Sequence, residues 1–135
     1  MSKPIICIKL ITGEELIAKI TDPAEVLLGT HKPAEEAFKD DGKTTTWHVQ
    51  GSYVLEDILS IAVQPTNSGA MALALIPWMM GNHEAPMLLN FDRHVMCVFA
   101  PRKEVTNAYL TQTSGISLAT TSPAVKNLSS KLKLS

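Results

Sequence analysis

The sequence has few cysteines, almost no net charge and no long uninterrupted apolar run, and each shortage excludes a class of protein. Its 135 residues include only two cysteines, Cys7 and Cys97, too few for a disulfide framework or a zinc ribbon. Twelve basic and 13 acidic residues leave a net charge of −1, which argues against a uniformly basic, non-specific nucleic-acid binder. The longest uncharged run, residues 58–82, contains a polar loop at 64–69, so we expect no membrane helix.

The two cysteines lie inside apolar segments, at residues 5–8 and 95–99. A free cysteine in such a segment usually behaves as a small buried hydrophobe. A disulfide between adjacent strands is the alternative. The N-terminus shows no basic-then-apolar leader, because Lys9 interrupts the first apolar run, and we therefore expect a soluble, cytoplasmic protein.

Motifs of known catalytic and metal sites are also missing. The sequence has no H-E-x-x-H zinc motif, no G-x-S-x-G nucleophile turn and no glycine-rich phosphate loop. His94 and Cys97 are three residues apart, so on a regular strand they would point to opposite faces and could not share a metal ion. Pairs of neighbouring acids such as Glu56 and Asp57 are more typical of solvated turns than of a catalytic cleft. We therefore expect no enzyme, no catalytic residue, no metal site and no cofactor.

What the sequence does contain is a series of strand patterns. Residues 15–21 alternate between apolar and polar positions and follow the apolar residues 5–12 across Gly13, which predicts a hairpin. Further strands are predicted at residues 53–64, 70–80 and 93–100. The acidic pair Glu56 and Asp57 predicts a bend or bulge in the first of these, and Pro77 predicts an edge position or a kink in the second.

Helical patterns are short and lie outside the strands. Residues 22–50 form an insertion rich in turn residues, where Pro33 followed by two glutamates predicts a short helix at 33–39. Residues 44–49 allow a further hairpin within this insertion. A second helix is predicted at 102–113, with Val105, Ala108 and Tyr109 on one side. Residues 113–135 are mostly small, polar or basic, and predict a flexible tail.

Five antiparallel strands within about 110 residues favour a small bent barrel, because a barrel removes most of the exposed sheet edges. We therefore predict a mainly β domain over residues 4–112, with the insertion at about 22–50 and a short C-terminal helix.

The apolar strand at residues 71–80 lacks the alternation expected of a strand with one face in water. Either the insertion or the helix covers its second face, or that face meets another subunit. Because tryptophan and methionine are enriched at subunit contacts, we favour a subunit interface. The candidate contact residues are Leu75, Trp78, Met79 and Val98.

Two segments carry a resemblance to a known family. Residues 8–22, I-K-L-I-T-G-E-E-L-I-A-K-I-T-D, resemble the first motif of Sm-like proteins, in which a strand, a glycine turn and a second strand lead to an aspartate. Residues 91–98, F-D-R-H-V-M-C-V, resemble the second motif, in which an arginine opens the closing strand. The order of strands is most similar to that of the Sm-like proteins of marine T4-type bacteriophages.

The resemblance implies a five-stranded SH3-like barrel whose fourth and fifth strands pair between neighbours in a ring of five to seven subunits. It also implies that single-stranded RNA binds around the pore. In this sequence Arg93 matches a base-contacting position, Asp22 would orient it, and His94 would line the pore and stack on a base.

The chain also departs from the family pattern. Ala18 stands where many members have a second glycine, Val26 replaces an asparagine that holds a base, and His94 replaces a glycine. The alternative function is therefore an oligomeric structural or protein-interaction module that has kept the fold and lost RNA binding.

Overall fold

The chain forms one bent, antiparallel sheet with short helices against its two faces. The computed structural model describes residues 3–24, 31–82 and 84–114, so Val26 and the predicted tail beyond Ser114 lie outside the described residues. The strands are β1 (Ile5–Leu10), β2 (Glu15–Thr21), β3 (Thr46–Trp47), β4 (Ser52–Pro65), β5 (Met71–Pro77), β6 (Met87–Asn90) and β7 (Val95–Phe99). The helices are α1 (Ala34–Ala37), α2 (Phe91–His94) and α3 (Lys103–Thr113). None of these helices is long and apolar enough to cross a membrane.

The strands lie in the order β3-β7-β1-β2-β4-β5, and β6 pairs with the beginning of β4 on the side that β5 occupies further along. All of these pairings are antiparallel, so the prediction of a mainly β antiparallel fold is confirmed. The described sheet has seven strands where five were predicted. No pairing within the described residues joins β5 to β3, so the sheet is not closed there.

The bend in β4 is where the acidic pair predicted it. The pairing of β4 with β2 shifts register between Ile17 and Lys19, because Asp57 and Ile58 together oppose one residue of β2. Asp57 has a φ of 51°, in the left-handed region that residues other than glycine seldom adopt. The predicted hairpin of β1 and β2 is also confirmed, with Gly13 supplying the positive φ of its turn.

Both faces of the sheet are covered within the chain. On one face the insertion places Ala34 and Phe38 over a large core that includes Tyr53. On the other face α3 packs Tyr109 and its neighbours against a smaller core that includes Cys7. This double cover explains why β1 and β2 each have three consecutive buried residues instead of an alternation.

Several elements differ from the sequence-based predictions. Helices α1 and α3 lie where short helices were predicted, but residues 44–49 form no hairpin, because β3 pairs with the distant strand β7. No strand was predicted at residues 87–90, which form β6 and bury Leu89. Arg93 and His94 were predicted at the start of a strand, and this is wrong. The Asn90 side chain accepts a hydrogen bond from the Arg93 backbone N–H (3.1 Å) and starts a helical turn, so β7 begins only at Val95.

The two cysteines differ in their surroundings. Both are free thiols, and they lie on the adjacent strands β1 and β7. Cys7 is buried as predicted, and burial, with a smaller effect from the charge of Glu15, raises the pKa of its thiol to about 12. The prediction that Cys97 is buried is wrong, because its side chain is exposed to solvent.

Candidate nucleic-acid interface

Arg93 and His94 end the single helical turn α2, where the chain passes from β6 into β7. The turn is fixed by its Asn90 cap, by the buried side chain of Phe91, and by the hydrogen bond from the Ile11 backbone N–H to the His94 carbonyl (3.0 Å). Both side chains are exposed. Within the described residues neither side chain has a hydrogen-bond or ion-pair partner. A guanidinium and an imidazole are therefore available to a ligand at this position.

An open cleft of about 220 Å³ lies beside this turn. It forms because β3 pairs with β7 only at Thr46 and Trp47, after which the chain departs from β7 and turns into β4 at Gly51, whose φ is +91°. The cleft is lined by Trp47, His48, Val49, Gln50, Phe91, Asp92, Val95, Met96, Cys97 and Val98. The lining includes the aromatic and apolar residues Trp47, Phe91 and Val95, but most of the surface that the cleft exposes is polar.

The polar groups of the cleft come from both of its sides. The carboxylate of Asp92 accepts a hydrogen bond from the Gly51 backbone N–H (3.0 Å), which ties α2 to the segment that follows β3. His48 and Gln50 are exposed on that segment, and Cys97 is exposed on β7. No local sequence pattern predicts this cleft, because its two sides are more than 40 residues apart.

Asp22, the third predicted RNA-binding residue, belongs to a different arrangement. Its Oδ1 accepts a hydrogen bond from the Ala34 backbone N–H (2.9 Å) and lies 2.6 Å from His31 Nε2. The His31 ring in turn packs on Tyr53, with 4.9 Å between ring centroids. Among the described residues no hydrogen bond or ion pair joins Asp22 to Arg93. The structure thus groups Arg93 with His94 and gives Asp22 a role in holding the insertion.

Replacing Asp22 by alanine tests that role. We expect Asp22→Ala to lower the free energy of unfolding by about 1 kcal/mol, because the first turn of α1 loses the acceptor for its backbone N–H. Asp22→Asn keeps an oxygen acceptor and should cost less. Urea unfolding measures both changes. An alanine variant with unchanged stability but impaired RNA binding would contradict the structural role and support the role implied by the Sm-like resemblance.

The four predicted interface residues lie mostly in the interior of the subunit. Leu75 is buried under α3 beside Tyr109, and Val98 is buried in the larger core. Trp78 and Met79 are half-buried against the same larger core. The Trp78 indole N–H donates a hydrogen bond to Glu14 Oε2 (2.8 Å). These four side chains are therefore largely buried within one subunit.

The apolar surface that β5 does expose lies further toward its beginning. Met71 and Leu73 are 62% and 59% exposed, and Val63, opposite Leu73 on β4, is 56% exposed. These three residues lie on the sheet face that α3 covers elsewhere, and they form a contiguous apolar patch.

Comparison with known proteins finds no family model and no curated sequence that matches the chain. In the described part of the molecule, no three His, Cys, Asp or Glu side chains are grouped so that they could hold a metal ion. The candidate site thus consists of one open cleft, with His48, Gln50, Asp92 and Cys97 exposed at its lining, and of the exposed Arg93 and His94 on the adjacent turn.

Proposed function

We propose that this protein is a non-catalytic, Sm-like, ring-forming protein that binds single-stranded RNA through Arg93 and His94. The observation that carries the proposal is the exposure of these two side chains, without partners in the described residues, beside an aromatic-lined cleft. A guanidinium is well suited to a phosphate group, and an imidazole ring can stack on a base.

The sheet topology supports assembly into a ring. The five longer strands follow the order β7-β1-β2-β4-β5, so the fourth and fifth strands of an Sm-like barrel would correspond to β5 and β7 near opposite ends of the sheet. The outer edge of β5 has no partner among the described strands, and an unpaired edge is a template for another chain. Because β3 pairs with β7 at Val98 and Phe99, the β5 of a neighbouring subunit would meet β3 at that end.

A ring also reconciles RNA binding with the net charge of −1. Each subunit would contribute one Arg93 and one His94, so the assembly would concentrate positive charge around one axis although each subunit is nearly neutral. Binding that depends on such contacts weakens as salt is added, because counterions compete for the phosphates.

Two observations favour the second candidate, an oligomeric interaction module without RNA. Asp22 is engaged by His31 and by α1, and β3 covers part of the β7 edge that Sm-like rings use. Oligomeric state and RNA retention must therefore be measured separately. Native mass spectrometry gives the first, and nuclease-sensitive extra mass gives the second.

The Arg93→Ala variant tests the RNA-binding proposal. We expect it to weaken binding of labelled oligo-U or oligo-A by about tenfold or more at low salt, because a charge-assisted contact to phosphate is lost. Fluorescence anisotropy at several salt concentrations measures this effect. Arg102→Ala is the matched control, since Arg102 is an exposed arginine at the start of α3 that makes no side-chain cap. A clean ring that retains neither oligonucleotide at low salt would favour the interaction module.

A further inference from the structure

The size of the cleft beside α2 limits what it can hold. At about 220 Å³ it is smaller than the range of roughly 300–1,000 Å³ typical of sites for whole cofactors and drug-sized ligands. Trp47, Val49 and Val95 are among its lining residues, although most of its exposed surface is polar. A single flat ring system is of a size that such a space can hold, and polar atoms on its edge can hydrogen-bond to the polar lining.

The cleft contains one positioned anionic acceptor, the carboxylate of Asp92. The Gly51 backbone N–H holds its Oδ2, and within the described residues its Oδ1 accepts no hydrogen bond. An ionised carboxylate offers about four lone-pair sites on its two oxygens and donates no hydrogen bond. Asp92 can therefore still accept two further hydrogen bonds, and it requires a ligand that presents donors.

Among the nucleobases, guanine presents the matching edge. Its ring N1–H and its exocyclic amino group are adjacent donors, which one carboxylate can accept together in a charge-assisted pair. Uracil places a single N–H between two carbonyl oxygens, which the carboxylate would repel. Adenine and cytosine each place one amino donor beside a ring acceptor. The exposed amide of Gln50 and ring of His48 supply further donors and acceptors at the cleft.

The positive charge of Arg93, next to the cleft, is complementary to the phosphate of a nucleotide. Arg93 follows Asp92 directly in α2 and is exposed, but it does not line the cleft, so only a phosphate that projects out of the cleft would meet its guanidinium. We propose that the cleft between residues 47–50 and β7 is a nucleobase site that selects guanine through Asp92, with Arg93 receiving the attached phosphate. Where the guanine belongs to an RNA strand, this inference rests on the proposed function.

The exposed thiol of Cys97 provides the test, because it lines the cleft. Cys7 serves as an internal reference, since it is buried and its thiol pKa is raised to about 12, which makes it unreactive. The rate of Cys97 alkylation by iodoacetamide is measured by mass spectrometry on the full-length protein. The probes are GMP, AMP, CMP and UMP, and uridine hexamers with one central guanosine or one central adenosine.

We expect saturating GMP to slow alkylation of Cys97 about tenfold, because the occupied cleft excludes the reagent. GMP should protect at concentrations about tenfold or more below those of the other three nucleotides, as expected for a bidentate base contact. Asp92→Asn keeps an oxygen that can accept from Gly51 but loses the paired acceptors, so it should abolish the preference for GMP. Glu104→Gln, which removes one exposed acid from α3, should leave it unchanged. Equal protection by all four nucleotides, no protection by any, or an unchanged preference in Asp92→Asn would overturn the proposal.

The ring and its RNA binding are followed on the same samples, so that the two proposals can fail separately. The ring could bind oligo-U through Arg93 while Cys97 is alkylated equally fast with and without GMP. This result would overturn the guanine site and leave the proposed function intact. Protection by GMP in a ring that retains no RNA would support the site as one for a free guanine nucleotide, and the RNA-binding function would fail. Stronger protection by the guanosine hexamer than by GMP would identify RNA as the source of the base.

Discussion

Tyr109→Ala is expected to lower the free energy of unfolding by about 3–5 kcal/mol, as large aromatic truncations in a core do. Tyr109 is fully buried under α3, and its hydroxyl donates hydrogen bonds to the carbonyls of Asp57 (2.7 Å) and Glu56 (3.3 Å). These carbonyls belong to the bulge of β4, where the register with β2 shifts. The substitution therefore removes both the packing of α3 and a donor to the bulged backbone.

Two further variants separate these contributions in urea unfolding. Tyr109→Phe keeps the ring and loses the hydroxyl, and we expect it to cost about 1–3 kcal/mol, because buried carbonyls lose their donor. Leu110→Ala is the control, since Leu110 is 43% exposed on the outer side of α3, and it should change stability by about 0.5 kcal/mol or less. A Tyr109→Ala variant as stable as Leu110→Ala would show that α3 contributes little to the fold.

Burial, followed by the charge of Asp57, also raises the pKa of Tyr109 above that of an exposed phenol. A raised pKa in the folded state means that stability is complete below the unfolded pKa of about 10 and is lost as the pH rises toward the folded value. The Tyr109→Phe variant should therefore lose less stability than the parent protein above about pH 10.

Phe38→Ala is the second substitution with a large expected effect, about 3–5 kcal/mol. The Phe38 ring is buried and lies within 6.1 Å, centroid to centroid, of the rings of Trp47, Tyr53 and Phe91. It is thus the centre of an aromatic cluster that joins the insertion to the sheet and supports two residues of the cleft. Limited proteolysis should show faster cleavage within residues 31–45 than within α3.

Phe38→Leu keeps much of the apolar volume and should cost only about 1–2 kcal/mol. If the alanine and leucine variants both unfolded within about 0.5 kcal/mol of the parent protein, the insertion would not be part of the cooperative core.

The sequence predicts those parts of the fold that depend on local pattern. The alternation at residues 15–21 and the turn at Gly13 identify the first hairpin, and the adjacent acids Glu56 and Asp57 mark the bulge of β4. Pro77 marks the last residue of β5. Each of these signals acts within a few residues of the feature it predicts.

Features that depend on distant pairing could not be predicted in this way. Strand β3 has two residues and exists only because β7 lies beside it. Strand β6 is too short to show a periodicity, and the helical turn that Asn90 caps after it was not predicted. The cleft depends on the positions of β3 and β6, since residues 47–50 approach α2 and β7 only in the folded sheet. Of the candidate site, Arg93 and His94 remain sequence-based predictions, whereas their helical conformation and the neighbouring Asp92, Trp47 and His48 were not predicted.

The pairing of β1 with β7 governs the order in which the chain can fold during synthesis. The first strand of the sheet has the last strand as one of its two neighbours, so an edge of β1 stays without a partner until residues 95–99 have been made. Contacts between residues so far apart in sequence slow folding. Until β7 pairs with β1, the unpaired edge of this apolar strand favours aggregation. The nascent protein is therefore most prone to aggregate before β7 and α3 emerge from the ribosome. A chain truncated before Val95 lacks β7, so the edge of β1 stays open and the chain stays prone to aggregate.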